Sequence, residues 1–219
     1  MRAIRIVFIA CLGLLVSCTS TTSQNSPYIL NNKLLASYDN FDISFKKPRG
    51  SLLYAGGRAA DNCQKYFDLD SRYEMDETIH NQSVKSEYII CDALKILSSS
   101  SSDHNKTLDF SNLGKELLSK LDLRSFPSSL YRASNENSHT LESLYPQYTS
   151  SDGNVAELNT KDWAFTLEVV AIAKINDNSY LDWVVWVLDE SKSGNYRGYS
   201  TLIVYDPENQ ESYKAIAYP

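Results

Sequence analysis

The chain has 219 residues, 42% of them hydrophobic, 11% aromatic and 22% charged, with a formal net charge of −6. That length suits one domain or two small ones, and the apolar fraction excludes wholesale disorder, collagen-like repeats and multi-span membrane proteins. A pI near 5.1 argues against a nucleic-acid partner, because phosphate binding requires an excess of Lys and Arg on some face.

The first elements form an export pattern. Met1-Arg2-Ala3-Ile4-Arg5 is a short positive start, and Ile6 to Val16 is an apolar run. At 1.5 Å rise per residue this run is too short to cross a hydrocarbon core of about 30 Å, so it reads as a secretory signal. Leu15-Val16-Ser17-Cys18 then resembles the lipobox of bacterial lipoproteins. The resemblance implies diacylglycerol on the Cys18 thiol, cleavage just before that residue, and a membrane partner held through the N-terminal lipid. It also implies, in an organism with two membranes, sorting to the outer membrane on its periplasmic face, since Thr19 and not aspartate follows the cysteine. Residues 1–17 are then signal peptide, 18–27 the lipidated cysteine and a tether, and 28–219 a single domain. Loss of Arg2 and Arg5 from 21 basic residues leaves 19 against 27 acidic, a net charge of −8. The stretch Thr19 to Pro27 is uncharged and without periodicity, a flexible tether with reach of about 5–6 Å times the root of its length. The acidic body is expected to stand off an anionic membrane.

Cys11 leaves with the signal and Cys18 is taken by lipid, so Cys63 and Cys91 remain. In an oxidising compartment they are expected to pair where geometry permits, the other reading being two inert buried thiols. Around them the pattern is helical. Leu52 to Ala60 leads towards Cys63, Tyr66 and Phe67 at intervals of three and four, and Ser83 is placed to cap a helix carrying Val84, Tyr88, Cys91, Leu94 and Leu97. A five-serine run, Ser98 to Ser102, interrupts. Ser111 is expected to cap a third helix with Leu113, Leu117, Leu118 and Leu121 on its face, and Phe126 to Ala133 to add a short fourth piece.

From Ser134 to Asn159 the chain reads as polar and irregular, with a turn at Asp152-Gly153. Strands follow: an alternating run from Trp163, an apolar run from Trp183 to Leu188, then Tyr199 to Tyr205 and Tyr213 to Tyr218. Their short connections favour an antiparallel meander. The fold class is therefore α+β, with N-terminal helices packed on one face of a C-terminal sheet. Strand parity places Trp183 and Trp186 on opposite faces.

No G-x-S-x-G elbow, phosphate loop, H-E-x-x-H or zinc cysteine pair occurs, so the sequence names no catalytic residue, metal ligand or cofactor. The acidic cluster Asp68, Asp70, Glu74, Asp76 and Glu77 lacks the glycine of a calcium loop, and Asn176 to Trp183 reads as a hairpin turn. The best candidate binding site is another hairpin, in which Arg197 returns near Asp189 and Glu190 with Tyr196 and Tyr199 beside it. The C-terminal tyrosines are expected to pack under the helices or to present a face to a protein or glycan. The sequence thus suggests a non-enzymatic binding or accessory lipoprotein of the envelope. The alternative is a periplasmic hydrolase whose site gathers Asp189, Glu190 and a distant histidine.

Overall fold

The computed structural model describes residues 26–102, 108–176 and 178–218. The signal sequence, Cys18 with most of the tether, His104 and Asp177 lie outside the described residues.

The fold is α+β. Its sheet runs β4 (Thr149–Asp152), β5 (Val155–Asn159), β6 (Trp163–Ala173), β7 (Asp182–Ser191), β8 (Arg197–Val204) and β9 (Ala215–Ala217) in spatial order, all antiparallel, and the two-residue β1 (Tyr28–Ile29) pairs with β6. The meander therefore includes two strands inside the stretch expected to be irregular. Their period-2 signal is present, because Ala156 and Leu158 are buried while Glu157 and Asn159 are exposed. Gly153, at φ +51°, makes the tight turn between them.

Helices precede the sheet. They are α1 (Asn32–Asp39), α2 (Phe41–Lys46), α3 (Cys63–Asp70), α4 (Ile79–Val84), α5 (Ile89–Leu97), α6 (Leu113–Lys120) and the single turn α7 (Leu141–Leu144). Leu52 to Ala60 is not helical. It forms the hairpin β2 (Leu52–Tyr54) and β3 (Arg58–Ala60), joined through Gly56 and Gly57 at φ +77° and +72°, a backbone conformation that a Cβ disfavours. Ser83 caps no helix; the helix begins earlier, where the Thr78 side chain accepts from Asn81 N at 3.1 Å. A 3-10 turn at Lys85–Glu87 then separates α4 from α5. Ser111 is likewise outside α6, which begins after Asn112 without a side-chain cap. From Phe126 to Ala133 the only helical piece is a 3-10 turn, Tyr131–Ala133.

Helices pack on both faces of the sheet. On the first, α6 lays Leu113, Leu117 and Leu118, followed by Leu121 at its C-cap, over Phe165, Leu167, Val169, Trp183, Val185 and Val187. On the second, α1 and α5 bury Leu34, Ile89, Leu94 and Leu97 against Val170, Ala171, Val184, Trp186 and Ile203. Trp183 and Trp186 accordingly belong to different cores. A register shift between Val169 and Ala171 explains why β6 changes parity there, turning Ala171 and Ala173 to the second face. Helix α5 is buried on nearly every side, as expected for an apolar helix enclosed in a core. Its outer side meets a third cluster of Leu52, Tyr54, Ala60, Tyr66 and Tyr88, within which Cys63 and Cys91 form a disulfide with a Cα–Cα distance of 5.3 Å. The bridge ties α3 to α5. Among the described residues no helix is long and apolar enough to cross a membrane.

Candidate functional site

The hairpin of β7 and β8 puts Glu190 opposite Arg197 and Asp189 opposite Gly198. Arg197 does return towards the acids, with its Nε 3.9 Å from a Glu190 oxygen. The five candidate residues nevertheless do not form one site. Adjacent residues of a strand point to opposite faces, so the sheet itself separates the two carboxylates.

Asp189 turns to the first face and is buried. Its oxygens accept from Ser129 N, Ser129 Oγ and Trp163 Nε1, each at 2.7 Å, and from the Tyr196 hydroxyl at 3.3 Å. The Tyr196 ring lies 5.5 Å from that of Trp163. Burial, reinforced by the Asp189 charge and hydrogen bond, pushes the Tyr196 hydroxyl up to about 12. Four donors use the acceptor capacity of one carboxylate. Asp189 is thus a structural post that fixes the 126–133 segment to the sheet, and no lone pair is left for a substrate.

Glu190, Arg197 and Tyr199 lie on the second face. The Tyr199 hydroxyl donates to Glu190 Oε1, and burial followed by that contact lifts it to about 12. Arg197 Nη1 donates to the carbonyls of Ser191 and Tyr196, at 2.5 and 2.8 Å. Arg197 and Tyr199 form one wall of a cleft of about 490 Å³, whose other wall carries Asp76, Glu77, Gln82 and Lys85. The acidic run therefore contributes to this cleft. Asp182, within the Asn176 to Trp183 stretch, is turned inward, where it accepts from the backbone N–H groups of Ile175, Asn176 and Asp206. Among the described residues no group of three or more His, Cys, Asp or Glu side chains is placed to hold a metal ion.

A larger cavity adjoins it on the same face. About 770 Å³ in volume, it has a floor of Leu30, Ile90, Trp186 and Leu188 and a rim that includes Lys33, Arg49, Glu87 and Glu168. Leu188, in this floor, is the cross-strand partner of Tyr199 in the smaller cleft. The 3-10 turn at Lys85–Glu87 stands between them, lending Lys85 to one and Glu87 to the other. No local sequence signal marks this cavity, because its walls come from α1, the 47–51 loop, the 3-10 turn and β6. Only the alternation of Glu168, Trp186 and Leu188 on their strands points to a face not wholly sealed.

The tyrosines divide by position. Tyr213 is buried against α6, with its hydroxyl donating to Glu116 and its ring edge-on to Trp183 at 5.3 Å. Tyr199, Tyr205 and Tyr218 pack partly into the second core, whereas Tyr196 stays partly exposed, its hydroxyl turned in to Asp189.

His80 and His139 do not join the hairpin acids. His80 Nε2 lies 2.8 Å from Ser51 O, and the His139 carbonyl accepts from Leu123 N. Among the described residues no hydrogen bond links a histidine to Asp189 or Glu190. Compared with protein-family models, curated proteins and solved structures, the chain matches none.

Proposed function

We propose that the protein is an exported, lipid-anchored envelope protein that binds an envelope component through the incompletely covered second face of its sheet. The observation that carries this reading is the pair of adjoining clefts on one face. They combine apolar floor residues, Trp186 and Leu188, with charged and hydroxyl-bearing side chains at the rim, Glu168, Arg197 and Tyr199. Concave, largely apolar surfaces with a few convergent polar groups are the usual form of a binding site. The division of Asp189 from Glu190 favours binding over the hydrolase alternative, since general acid–base work by a carboxylate pair requires both groups to reach one bound substrate.

The disulfide supports an oxidising compartment, and the Cys18 motif supplies the anchor. The partner on this reading is an envelope protein or glycan, and the body stays at the outer membrane, facing the periplasm. Radiolabelled palmitate and membrane fractionation test the anchor: wild-type chain takes label and pellets with membranes, whereas Cys18→Ala does neither. An unlabelled wild type would end the lipoprotein part of the proposal.

A further inference from the structure

The larger cavity carries four charged side chains on its rim, and among the described residues none of them is ion-paired with another. Glu168 Oε1 accepts from Asn31 Nδ2 at 2.9 Å, leaving its second oxygen uncommitted. Glu87 Oε2 is taken by the backbone N–H of Gly50 at 2.9 Å. Arg49 is the unusual member. Its guanidinium has one hydrogen bond, from Nη2 to the Ser44 carbonyl at 3.2 Å, and its Nε is buried without a partner. Burial lowers its basicity, only partly offset by Tyr88 and Glu87. Glu87 attracts this guanidinium without forming an ion pair with it. A half-buried cation left with one hydrogen bond is costly in a folded protein, and a ligand anion seated beside it offsets that cost. The rim as a whole balances two cations against two carboxylates, in a chain that is otherwise acidic. Such a balance suits neither a simple anion nor a simple cation. The floor between the charges is apolar.

From this arrangement we infer that the cavity is a binding site for a short zwitterionic peptide, its carboxylate held by Arg49, its ammonium by Glu168 and its middle residue lying on Trp186 and Leu188. The inference rests on the binding face proposed above and names its ligand class. A guanidinium recognises carboxylate through paired donors, and a half-committed carboxylate accepts from an ammonium. Lys33 adds long-range attraction for the carboxylate end.

The test uses the full-length protein and the tripeptide Ala-Leu-Ala in three forms, with free termini, N-acetylated and C-amidated, titrated by calorimetry and by tryptophan fluorescence. The free peptide is expected to bind, and blocking either end to weaken it tenfold or more. Arg49→Met should abolish the distinction between free and amidated peptide while keeping that between free and acetylated. Glu168→Gln, which retains the Asn31 contact, should do the reverse. An unchanged melting temperature shows that each variant is folded; where Arg49→Met melts early, Glu168→Gln and the three peptide forms on wild type still decide. Equal affinity for all three forms, or no binding of free peptide at millimolar concentration, overturns the inference. If a neutral oligosaccharide binds and quenches Trp186 where the peptides do not, the ligand class is wrong but the proposed binding face survives. If photo-crosslinkers on that face capture nothing from envelopes, the broader reading fails as well.

Discussion

Replacing Asp189 by alanine isolates the consequence of strand parity at the β7–β8 hairpin. The carboxylate is 2% exposed and accepts three hydrogen bonds at 2.7 Å and a fourth at 3.3 Å. A hydrogen bond to a charged group contributes about 1.5–3 kcal/mol, but such terms do not add within one network. Deleting the shared acceptor leaves the Ser129 N–H and the Trp163 indole N–H unpaired, for a loss of about 3–5 kcal/mol, the range found when one partner is removed from a buried charged contact. Asparagine preserves volume but turns an amide donor towards one of the existing donors, so about 2 kcal/mol is expected. Glu190→Ala, one residue along and about a third exposed, should cost under about 1 kcal/mol. Urea unfolding followed by tryptophan fluorescence measures all three, provided the slope of free energy against urea stays constant. Similar costs for Asp189→Ala and Glu190→Ala, within about 0.5 kcal/mol, would refute the division of the two acids between the faces.

Burial lifts the Asp92 carboxyl to about 7, against the opposing pull of Lys85, Tyr66 and Thr201. The unfolded chain ionises at this position near pH 4 while the native one stays protonated, so the contribution of Asp92 to stability is greatest below that pH and is lost, by on the order of 4 kcal/mol, as pH rises to about 7. Asp92→Asn should flatten this contribution, and a variant with the wild-type pH dependence in urea melts at pH 4, 6 and 8 would contradict it. Cys63→Ser with Cys91→Ser opens a link across a sequence separation of 28 and should cost about 3–4 kcal/mol in the chain-entropy picture; a melting temperature equal to that of the oxidised wild type, without reductant, would argue against it. A Cβ at Gly114 would sit 2.0 Å from Val155 O, and Gly114 N already donates to Gly153 O at 2.8 Å. Gly114→Ala must therefore push α6 off the β4–β5 hairpin, with an expected loss of about 3 kcal/mol or more, whereas Gly57→Ala meets no neighbour and is strained only by its positive φ, for about 1–2 kcal/mol. Equal melting temperatures for these two variants would remove the close approach as an explanation.

How much of the fold is legible in the sequence follows the strength of its periodicity. The apolar run of β7 and the alternation of β6 are plain, and parity alone sends Trp183 and Trp186 to separate cores. The same parity also divides Asp189 from Glu190, a separation that their adjacency in the chain masks. Leu52 to Ala60 misleads because three-residue strands carry too few positions to distinguish a period of two from one of 3.6, and there the Gly56-Gly57 pair is the better signal. The β4–β5 hairpin is hidden by polar residues on its exposed side, although its turn at Asp152-Gly153 is visible. The disulfide is legible from the cysteine count together with the expectation of export. The larger cavity is not legible at all. Arg49, Glu87 and Glu168 are remote in sequence, and nothing local shows that folding brings them to one rim without pairing them.

Binding through the second face of the sheet, where the two clefts adjoin, can be tested in intact cells of the producing organism. Photo-crosslinking amino acids are placed at Thr166 and Tyr199 on that face, with Ser119 on α6 as control. Discrete adducts with one envelope component are expected from Thr166 and Tyr199 and none from Ser119, and the adducts should disappear when Arg49→Met and Arg197→Met are combined. Adducts from Ser119 alone, or none from either position on the second face, would contradict the assignment of that face as the binding surface.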